Sequence, residues 1–237
     1  GRVSLQAYPL TAEIGYRYLG IDEVGAHRGL RDGNRGMTGL IYGADTIVEK
    51  PVPYQSTHLS SGYVALKRKT NGNRLYAGLN ALQPGSGHQH GDRLNLITYS
   101  RDRMLTGEKR TQYYDKDQHL YSGASYAHNT VTVDETSQVH GNHLQGKRVP
   151  HIDNFVDLPA AQVVEAHGDK VYEQTERYRR LLCQFDEYVL DVFRVEGGRV
   201  HDWFYHGVGQ SPALSIPMKS KTGFEPAAYV VRGKPGY

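Results

Sequence analysis

The chain of 237 residues has a single cysteine and no long apolar run. One cysteine excludes an intrachain disulfide. Cys183 lies in the apolar run Leu181-Leu182-Cys183, which favours a buried small residue over a reactive thiol. No segment approaches the ~20 apolar residues of a membrane-spanning helix, so we expect no membrane partner. No internal repeat with a period of about 20–50 residues is visible, which argues against a propeller or a solenoid.

The charge and the aromatic content point to an acidic or sugar-like partner without identifying it. The formal net charge is +3, yet no lysine and arginine cluster interleaves with aromatic residues, so we expect no nucleic-acid partner. The chain has 18 tyrosines but only 5 phenylalanines and 1 tryptophan. A tyrosine offers a flat apolar face and a hydroxyl, which suits a groove for sugar rings. Tyrosine is also simply a good strand former, and composition leaves both explanations open.

The pattern of the chain changes at about residue 60. Before it, the stretch from Ala26 to Gly43 holds five glycines and shows no regular period. After it, Gly62–Lys67 and Arg74–Leu79 flank the turn Asn71-Gly72-Asn73, which predicts a β-hairpin. Further strands are predicted at five segments: Leu94–Tyr99, Asn129–Val133, Gln162–Ala166, Tyr178–Phe185 and Glu187–Val195. Short strands separated by polar turns are typical of an antiparallel β-sandwich.

Two histidines lie two residues apart in the segment Gly87-His88-Gln89-His90-Gly91-Asp92. Positions i and i+2 of an extended chain share a face, so His88 and His90 can point the same way. Two imidazoles on one face form half of a metal site. An H-x-H pattern alone is weak evidence, because it also occurs without any such role.

Two later segments supply further ligand types. His128 opens the β-branched strand Asn129–Val133, and Glu108 follows the short apolar stretch from Arg103. Zinc favours imidazole and carboxylate ligands, and the three segments can meet across neighbouring strands. Taken alone, a histidine in the position of His128 is more often a satisfied strand-end residue than a metal ligand.

Together these segments resemble the C-terminal domain of heparinase II/III-type polysaccharide lyases, a group of heparinases and alginate lyases. The likeness covers roughly residues 58–210 and rests on four segments: Ser61–Leu66, His88–Leu96, Arg103–Glu108, and Ala127–Asp134 followed by Ser137-Gln138. It extends to Tyr178–Val195 and to His201-Asp202-Trp203. The resemblance implies an all-β, supersandwich-like fold. It also implies that residues 1–57 are the short, irregular or helical end of an N-terminal α/α toroid, and that residues 58–237 are a β-sandwich truncated at its C-terminus.

The resemblance also implies roles for individual residues. His88 matches a substrate-facing catalytic histidine, and His90 and His128 match zinc ligands. The third ligand in the family is usually an aspartate, and Glu108 stands at that position, with one methylene more to accommodate. Tyr114, or its neighbour Tyr113, is expected to supply a catalytic hydroxyl. Asp92 is expected either to orient a histidine ring or to end a strand.

The implied activity is β-elimination in a uronate-containing polysaccharide of the alginate or heparin type, by a periplasmic or secreted enzyme with a structural zinc. The acidic polysaccharide is the expected partner, together with the missing N-terminal helical domain and, as a further expectation, a second copy of the chain in a homo-oligomer. Two alternatives remain open. One is a carbohydrate-binding β-sandwich without catalysis. The other is a cupin-like metalloenzyme, although the acid of a cupin normally follows its H-x-H within a few residues, whereas Glu108 follows His90 by eighteen.

The other histidines are not expected to belong to the site. His140, His143 and His151 lie in a polar segment, Gln138–His151, where solvent exposure is the ordinary outcome. His201 and His206 flank Trp203 and Tyr205 in a strand-like segment. We expect a packed aromatic corner there rather than a surface that stacks a sugar ring.

Overall fold

The chain divides into two units, Gly1–Pro53 and Tyr54–Tyr237, in a computed structural model. The structure describes residues 17–18, 37, 41, 53–82, 90–101, 103–108, 121–138, 150–209 and 213–219. In the first unit, residues 17–18, 37 and 41 are helical. The predicted toroid remnant otherwise lies outside the described residues and stays a prediction.

The first sheet of the second unit has five antiparallel strands in the order β1-β2-β3-β4-β5. Their bounds are β1 Thr57–His58, β2 Tyr63–Thr70, β3 Asn73–Asn80, β4 Asn95–Ser100 and β5 Arg103–Met104. Asn71 and Gly72 join β2 to β3, and both have positive φ, 47° and 79°. A two-residue turn with positive φ at both positions matches the twist of a hairpin and favours Asn-Gly. The predicted hairpin is therefore confirmed.

The second sheet has four antiparallel strands in the order β10-β9-β8-β7. Their bounds are β7 His151–Asp157, β8 Gln162–His167, β9 Arg177–Gln184 and β10 Val189–Glu196. Burial alternates residue by residue along β8 and β9. This alternation places one face of the sheet against the core and leaves the other towards solvent.

A third, two-stranded sheet pairs β6 (Val131–Val133) with β11 (His201–Trp203). A turn of 3-10 helix, Ser125–Ala127, precedes β6. Beyond β11, the bridge between Thr106 and Gly207 connects this segment to the end of the first sheet. The backbone therefore brings the region after β5 close to the region after β11.

The core lies between the two large sheets and includes β6. One cluster of buried side chains unites residues of all three sheets: Val64, Leu66, Ala77, Leu79, Leu96, Val131, Val133, Val164, Ala166, Tyr178 and Leu182. Two sheets that share one apolar core form a sandwich. The predicted antiparallel β-sandwich is confirmed.

A buried arginine ties the second sheet to the loops of the first. Arg180 has no exposed surface, and its guanidinium donates to both carboxylate oxygens of Asp191 on β10, at 2.9 and 2.6 Å. The same guanidinium donates to the carbonyls of Leu94 and Asn129, at 2.5 and 2.6 Å. A buried charge is tolerated when it is both paired and hydrogen-bonded, as here. Arg180 thus fixes the chain just before β4 and just before β6.

Several local predictions are corrected by the structure. The short strands β1 and β5 were not predicted. His151 does not end a polar loop but begins β7, although its side chain is exposed as expected. Cys183 is only partly buried, and burial raises the pKa of its thiol, which fits an unreactive strand residue. No helix in the described part of the chain is long and apolar enough to cross a membrane.

Candidate functional site

His128 lies between the 3-10 turn Ser125–Ala127 and β6, with only 3% of its side chain exposed. Its Nδ1 lies 3.0 Å from Oε1 of Glu108, and its Nε2 lies 3.0 Å from the carbonyl oxygen of Ser122. A carbonyl only accepts, so Nε2 carries a hydrogen and donates it to Ser122. Nδ1 is therefore directed at the carboxylate of Glu108, where it either donates a second hydrogen or shares a cation with that carboxylate.

The electrostatics of this pair favour charges of opposite sign. Burial by itself would lower the pKa of His128, but the hydrogen bond to Glu108 and the charges of Asp92 and Glu108 raise the pKa above its ordinary value. For Glu108 burial has the opposite sign and by itself would raise the pKa. The hydrogen bond and the charge of His128, together with a hydrogen bond from Asn95, lower the pKa of Glu108 below its ordinary value. The site is thus built around a carboxylate that stays ionised.

Glu108 is held in place by a side chain of β4 and by a backbone hydrogen bond of the preceding residue, and it remains partly accessible. The Nδ2 group of Asn95, at the start of β4, donates to Oε1 of Glu108. The backbone N–H of Gly107 donates to the carbonyl of His206 at 2.8 Å. The side chain of Glu108 is 29% exposed, so part of the carboxylate faces the outside. Asn95 also accepts a hydrogen bond from the N–H of Asn129 at 2.8 Å, which couples Glu108 to the chain next to His128.

His90 lies beside His128, with the ring centroids 5.4 Å apart and the rings tilted by 40°. A buried arginine fixes the backbone of this segment, because Arg93 donates from Nη1 to the carbonyl of His90 at 2.7 Å. The N–H of Arg93 itself donates to Oε1 of Gln138 at 2.7 Å. Next to His90, a Cβ at Gly91 would lie 2.8 Å from Oγ of Ser125. Only glycine allows this close approach of the two segments.

The structure thus brings together His90, Glu108 and His128, the three residues predicted as zinc ligands. Two imidazoles bound tetrahedrally to zinc at ~2.0–2.1 Å have ring centroids about 5 Å apart, and an imidazole nitrogen and a carboxylate oxygen on the same ion lie about 3.3 Å apart. The spacings here, 5.4 Å between rings and 3.0 Å between Nδ1 and Oε1, are close to both. The donation from Nε2 of His128 to a backbone carbonyl is the usual support of a metal-bound imidazole.

The three side chains do not converge on a single metal position in this structure. Among the residues that the structure describes, no group of three His, Cys, Asp or Glu side chains converges closely enough to hold a metal ion. The donor types and the spacings fit zinc, but the three side chains would have to come closer together to complete the set. The assignment of the three ligands therefore stays a prediction.

The remaining predicted site residues are only partly described. His88, Tyr113 and Tyr114 lie outside the described residues. The carboxylate of Asp92 accepts from Nδ2 of Asn80 at 2.7 Å and from Nη1 of Arg93 at 3.1 Å. Asp92 acts on His128 through its charge, which contributes to the raised pKa of that histidine.

A tyrosine pair near Glu108 was not predicted from any pattern in the sequence. The hydroxyls of Tyr63 on β2 and Tyr76 on β3 lie 2.7 Å apart. Burial raises the pKa of both hydroxyls, and the Tyr76 hydroxyl and the charge of Glu108 raise the pKa of Tyr63 further. Both groups therefore stay protonated and can donate a hydrogen bond, but neither is suited to remove a proton. A Cβ at Gly78 would overlap both hydroxyls, so this glycine makes room for the pair.

The predicted packed aromatic corner around β11 is wrong for three of its four members, because His201, Trp203 and Tyr205 are exposed. Phe204 packs against Tyr126, and Nε2 of His206 donates to the carbonyl of Tyr126 at 2.8 Å. Trp203 and Tyr205, in contrast, are 58% and 52% exposed. Alternate residues of a strand point to opposite faces, so the inner members pack and the outer members reach solvent.

Comparison with protein families gives a match, which covers most of the β-sandwich. Residues 52–206 match the model of the family "Heparinase II/III-like, C-terminal". This match covers more than half of the chain. The chain therefore belongs to the heparinase II/III-like C-terminal family, which confirms the resemblance and removes the cupin alternative. No curated protein matches the chain.

Solved structures of heparan sulfate lyases share the fold. The heparan sulfate lyase HepC from Pedobacter heparinus superposes with a TM-score of 0.52 at 17% identity, covering 63% of this chain and 23% of that one. A heparinase III, the BT4657 gene product, superposes with a TM-score of 0.54 at 18% identity, covering 63% and 23%. The chain thus spans about a quarter of the length of these enzymes, and at this identity the likeness concerns the fold.

Proposed function

We propose that this chain forms the zinc-organised half of the active site of a polysaccharide lyase that cleaves uronate-containing polysaccharides by β-elimination. The observation that carries the proposal is the meeting of His90, Glu108 and His128 at one end of a heparinase II/III-like sandwich. The other half of the site would come from a helical domain, since the match covers only 23% of each of the similar lyases. Such enzymes meet their polymers outside the cytoplasm, so a periplasmic or secreted location is part of the proposal.

The chemistry sets what the site must provide. A base removes the proton on C5 of the uronate, the C4–O4 bond breaks, the C4=C5 double bond forms, and an acid returns a proton to the departing O4. The C5 proton is acidic enough only when the neighbouring carboxylate is neutralised by positive or hydrogen-bonding groups. In the proposal His88 faces the substrate as the base, and Tyr114 supplies the hydroxyl for O4. Alginate-like and heparin-like polymers both contain this unit.

The residues around His128 position the catalytic segment. Zinc, when held by His90, Glu108 and His128, supplies positive charge and a rigid link between three segments. His88 is two residues before His90, so fixing the backbone at His90 also fixes the approach of His88 to the sugar. Two hydrogen bonds hold the same segment: Arg93 donates to the carbonyl of His90, and Gln138 accepts from the N–H of Arg93. The chain's own residues thus orient the base, exclude solvent from His128 and keep Glu108 ionised.

The proposal is tested by incubating the full-length protein with alginate, heparin and heparan sulfate and following the ultraviolet absorbance of the unsaturated uronate product. We expect product from at least one polymer, and none after His88→Ala, which should leave zinc content and folding intact. The matched control is His151→Ala, an exposed histidine on β7, which should retain full activity. If the zinc-loaded protein forms no product from any acidic polymer, the catalytic proposal fails and the carbohydrate-binding sandwich takes its place.

A further inference from the structure

A groove separate from the His128 site lies where β10 and the β6–β11 pair meet. It has a volume of about 340 Å³ and is lined by Val131, Asp191, Phe193, Val195, His201 and Trp203. This volume is near the lower end of the ~300–1,000 Å³ that small-molecule sites usually occupy. A groove of this size suits a single sugar ring of a longer chain.

One wall of the groove is an exposed aromatic surface. His201, Trp203 and Tyr205 alternate along the chain with the more buried Asp202 and Phe204. The rings of Trp203 and Tyr205 lie 6.0 Å apart, tilted by 53°. Large aromatic side chains are normally buried in the core of a domain. An exposed pair of aromatic rings beside a groove therefore indicates a contact surface.

The opposite wall of the groove carries the carboxylate of Asp191 beside the aromatic ring of Phe193. Phe193 packs edge-on against Tyr178, with the ring centroids 4.9 Å apart, and the guanidinium of Arg180 lies 5.1 Å from its ring. The carboxylate of Asp191 is bound by Arg180 at 2.6 and 2.9 Å and is 12% exposed, so it is neutralised and yet reachable. At the other end, His201 is exposed and is anchored through Nε2 to the carbonyl of Gly197 at 2.8 Å.

We propose that this groove binds one pyranose ring of an acidic polysaccharide, with Trp203 stacking on the face of the sugar and Asp191 accepting a hydrogen bond from a hydroxyl. A pyranose has an apolar face of C–H groups and a rim of hydroxyls, which matches an aromatic wall opposite a fixed acceptor. The net charge of +3 and the neutralised Asp191 make the groove compatible with an acidic polymer. That the ligand is acidic rests on the proposed function. That the groove binds a sugar ring rests on its lining residues alone.

Trp203 is the only tryptophan of the chain, so its fluorescence reports on the groove directly. Hexasaccharides from alginate and from heparan sulfate are titrated into the full chain, with maltohexaose as the neutral comparison. We expect a saturable change in emission with an acidic hexasaccharide. By calorimetry, Trp203→Ala should weaken binding about tenfold, the loss of a single stacking contact. The matched control is Tyr188→Ala, since Tyr188 is 60% exposed in the turn between β9 and β10.

These measurements can reject the proposed sugar-binding groove and the proposed lyase activity independently of each other. Unchanged emission at saturating ligand, or binding to Trp203→Ala as tight as to the unaltered chain, would overturn the groove even if the protein is an active lyase. A preference for maltohexaose would overturn the acidic ligand. A saturable change in emission that depends on Trp203, in a protein without lyase activity, would support the groove and count only against the catalytic proposal. Circular dichroism of each variant establishes that it folds.

Discussion

Two histidine–carboxylate pairs lie in different parts of the sandwich and have different surroundings. In the first, His128 and Glu108 are 3.0 Å apart, His128 is 3% exposed, and its second nitrogen is bound to a backbone carbonyl. In the second, Nδ1 of His167 lies 2.7 Å from Asp153, and both side chains are about a quarter exposed, at 26% and 27%. The two pairs use the same chemical groups and their carboxylates are similarly exposed, but only the histidine of the first pair is enclosed and bound at both ring nitrogens.

The comparison shows that enclosure, rather than the pair itself, distinguishes a site from a surface contact. Around His128 the protein supplies Ser122, Asn95, Asp92 and the ring of His90. Around His167 the main addition is the ring of His151, 5.3 Å away across the β7–β8 pair. An exposed pair gains little, because water competes for its groups and salt screens its charges. The predictions below compare enclosed groups with exposed ones of the same kind.

The largest expected effect concerns Arg180. Arg180→Met removes the guanidinium that donates to the carboxylate of Asp191 and to the carbonyls of Leu94 and Asn129. Removing one partner of a buried ion pair costs about 3–5 kcal/mol in the free energy of unfolding. The exposed counterpart is Arg179→Met, which loses a partly exposed pair with Asp169 and should cost about 0–1 kcal/mol. Urea denaturation measures both, and equal losses would show that Arg180 is not an anchor.

His128→Ala is expected to have the next largest effect. It removes the imidazole that binds Glu108 and the carbonyl of Ser122, although Asn95 still donates to Glu108. This loss should cost about 2–4 kcal/mol even after chelation of all metal. His167→Ala, the exposed counterpart, should cost about 0–1 kcal/mol. Thermal unfolding in the presence of a chelator separates this structural contribution from that of a metal. A loss for His167→Ala as large as for His128→Ala would remove the distinction between the pairs.

Gly78→Ala tests the tyrosine pair near Glu108. The added methyl group would overlap the hydroxyls of Tyr63 and Tyr76, which have little room to move between β2 and β3. Overpacking of this kind costs about 1–3 kcal/mol. Gly209→Ala adds the same methyl group where nothing lies within 4 Å, and should change stability by less than about 0.5 kcal/mol. Denaturation midpoints compare the two, and a neutral Gly78→Ala would mean that the hydroxyls separate freely.

The smallest effect is a pH dependence at Asp134, in the turn after β6. The N–H groups of Arg199 and Val200 donate to its carboxylate at 2.7 and 3.0 Å and hold its pKa below the ordinary value of 3.8. Its folded-state pKa is lower than its unfolded-state pKa, so its contribution is present above pH ~4 and is lost as the pH falls through the folded-state pKa. Asp134→Asn should therefore be slightly less stable near neutral pH and should lose less stability on acidification. A pH series of unfolding curves that runs parallel for both proteins would contradict this.

The regular strands were predictable because their information is local. β2, β3, β8, β9 and β10 each carry an alternation or a turn signal within the segment itself. β7 was missed because it is an edge strand with a register shift between Ile152 and Asn154, which exposes polar residues out of phase. β1 and β5 have two residues each, too few to show any period.

The candidate site was predictable only in part. The order of His90, Glu108 and His128 pointed to a family, and the fold brings these residues together. The anchors behind them could not be foreseen, because Arg180 reaches carbonyls of Leu94 and Asn129 that are distant in sequence. Buried arginines are rare, so no local pattern signals one. The exposure of Trp203 likewise depends on which strands pack against β11, and a single strand does not reveal that.

Zinc content tests the central claim most directly. The full chain, purified without added chelator and dialysed, is measured by elemental analysis together with His128→Ala, Glu108→Ala and His167→Ala. We expect stoichiometric zinc in the unaltered chain and in His167→Ala, and loss of zinc in His128→Ala and Glu108→Ala. Full zinc in a folded His128→Ala or Glu108→Ala protein would contradict it.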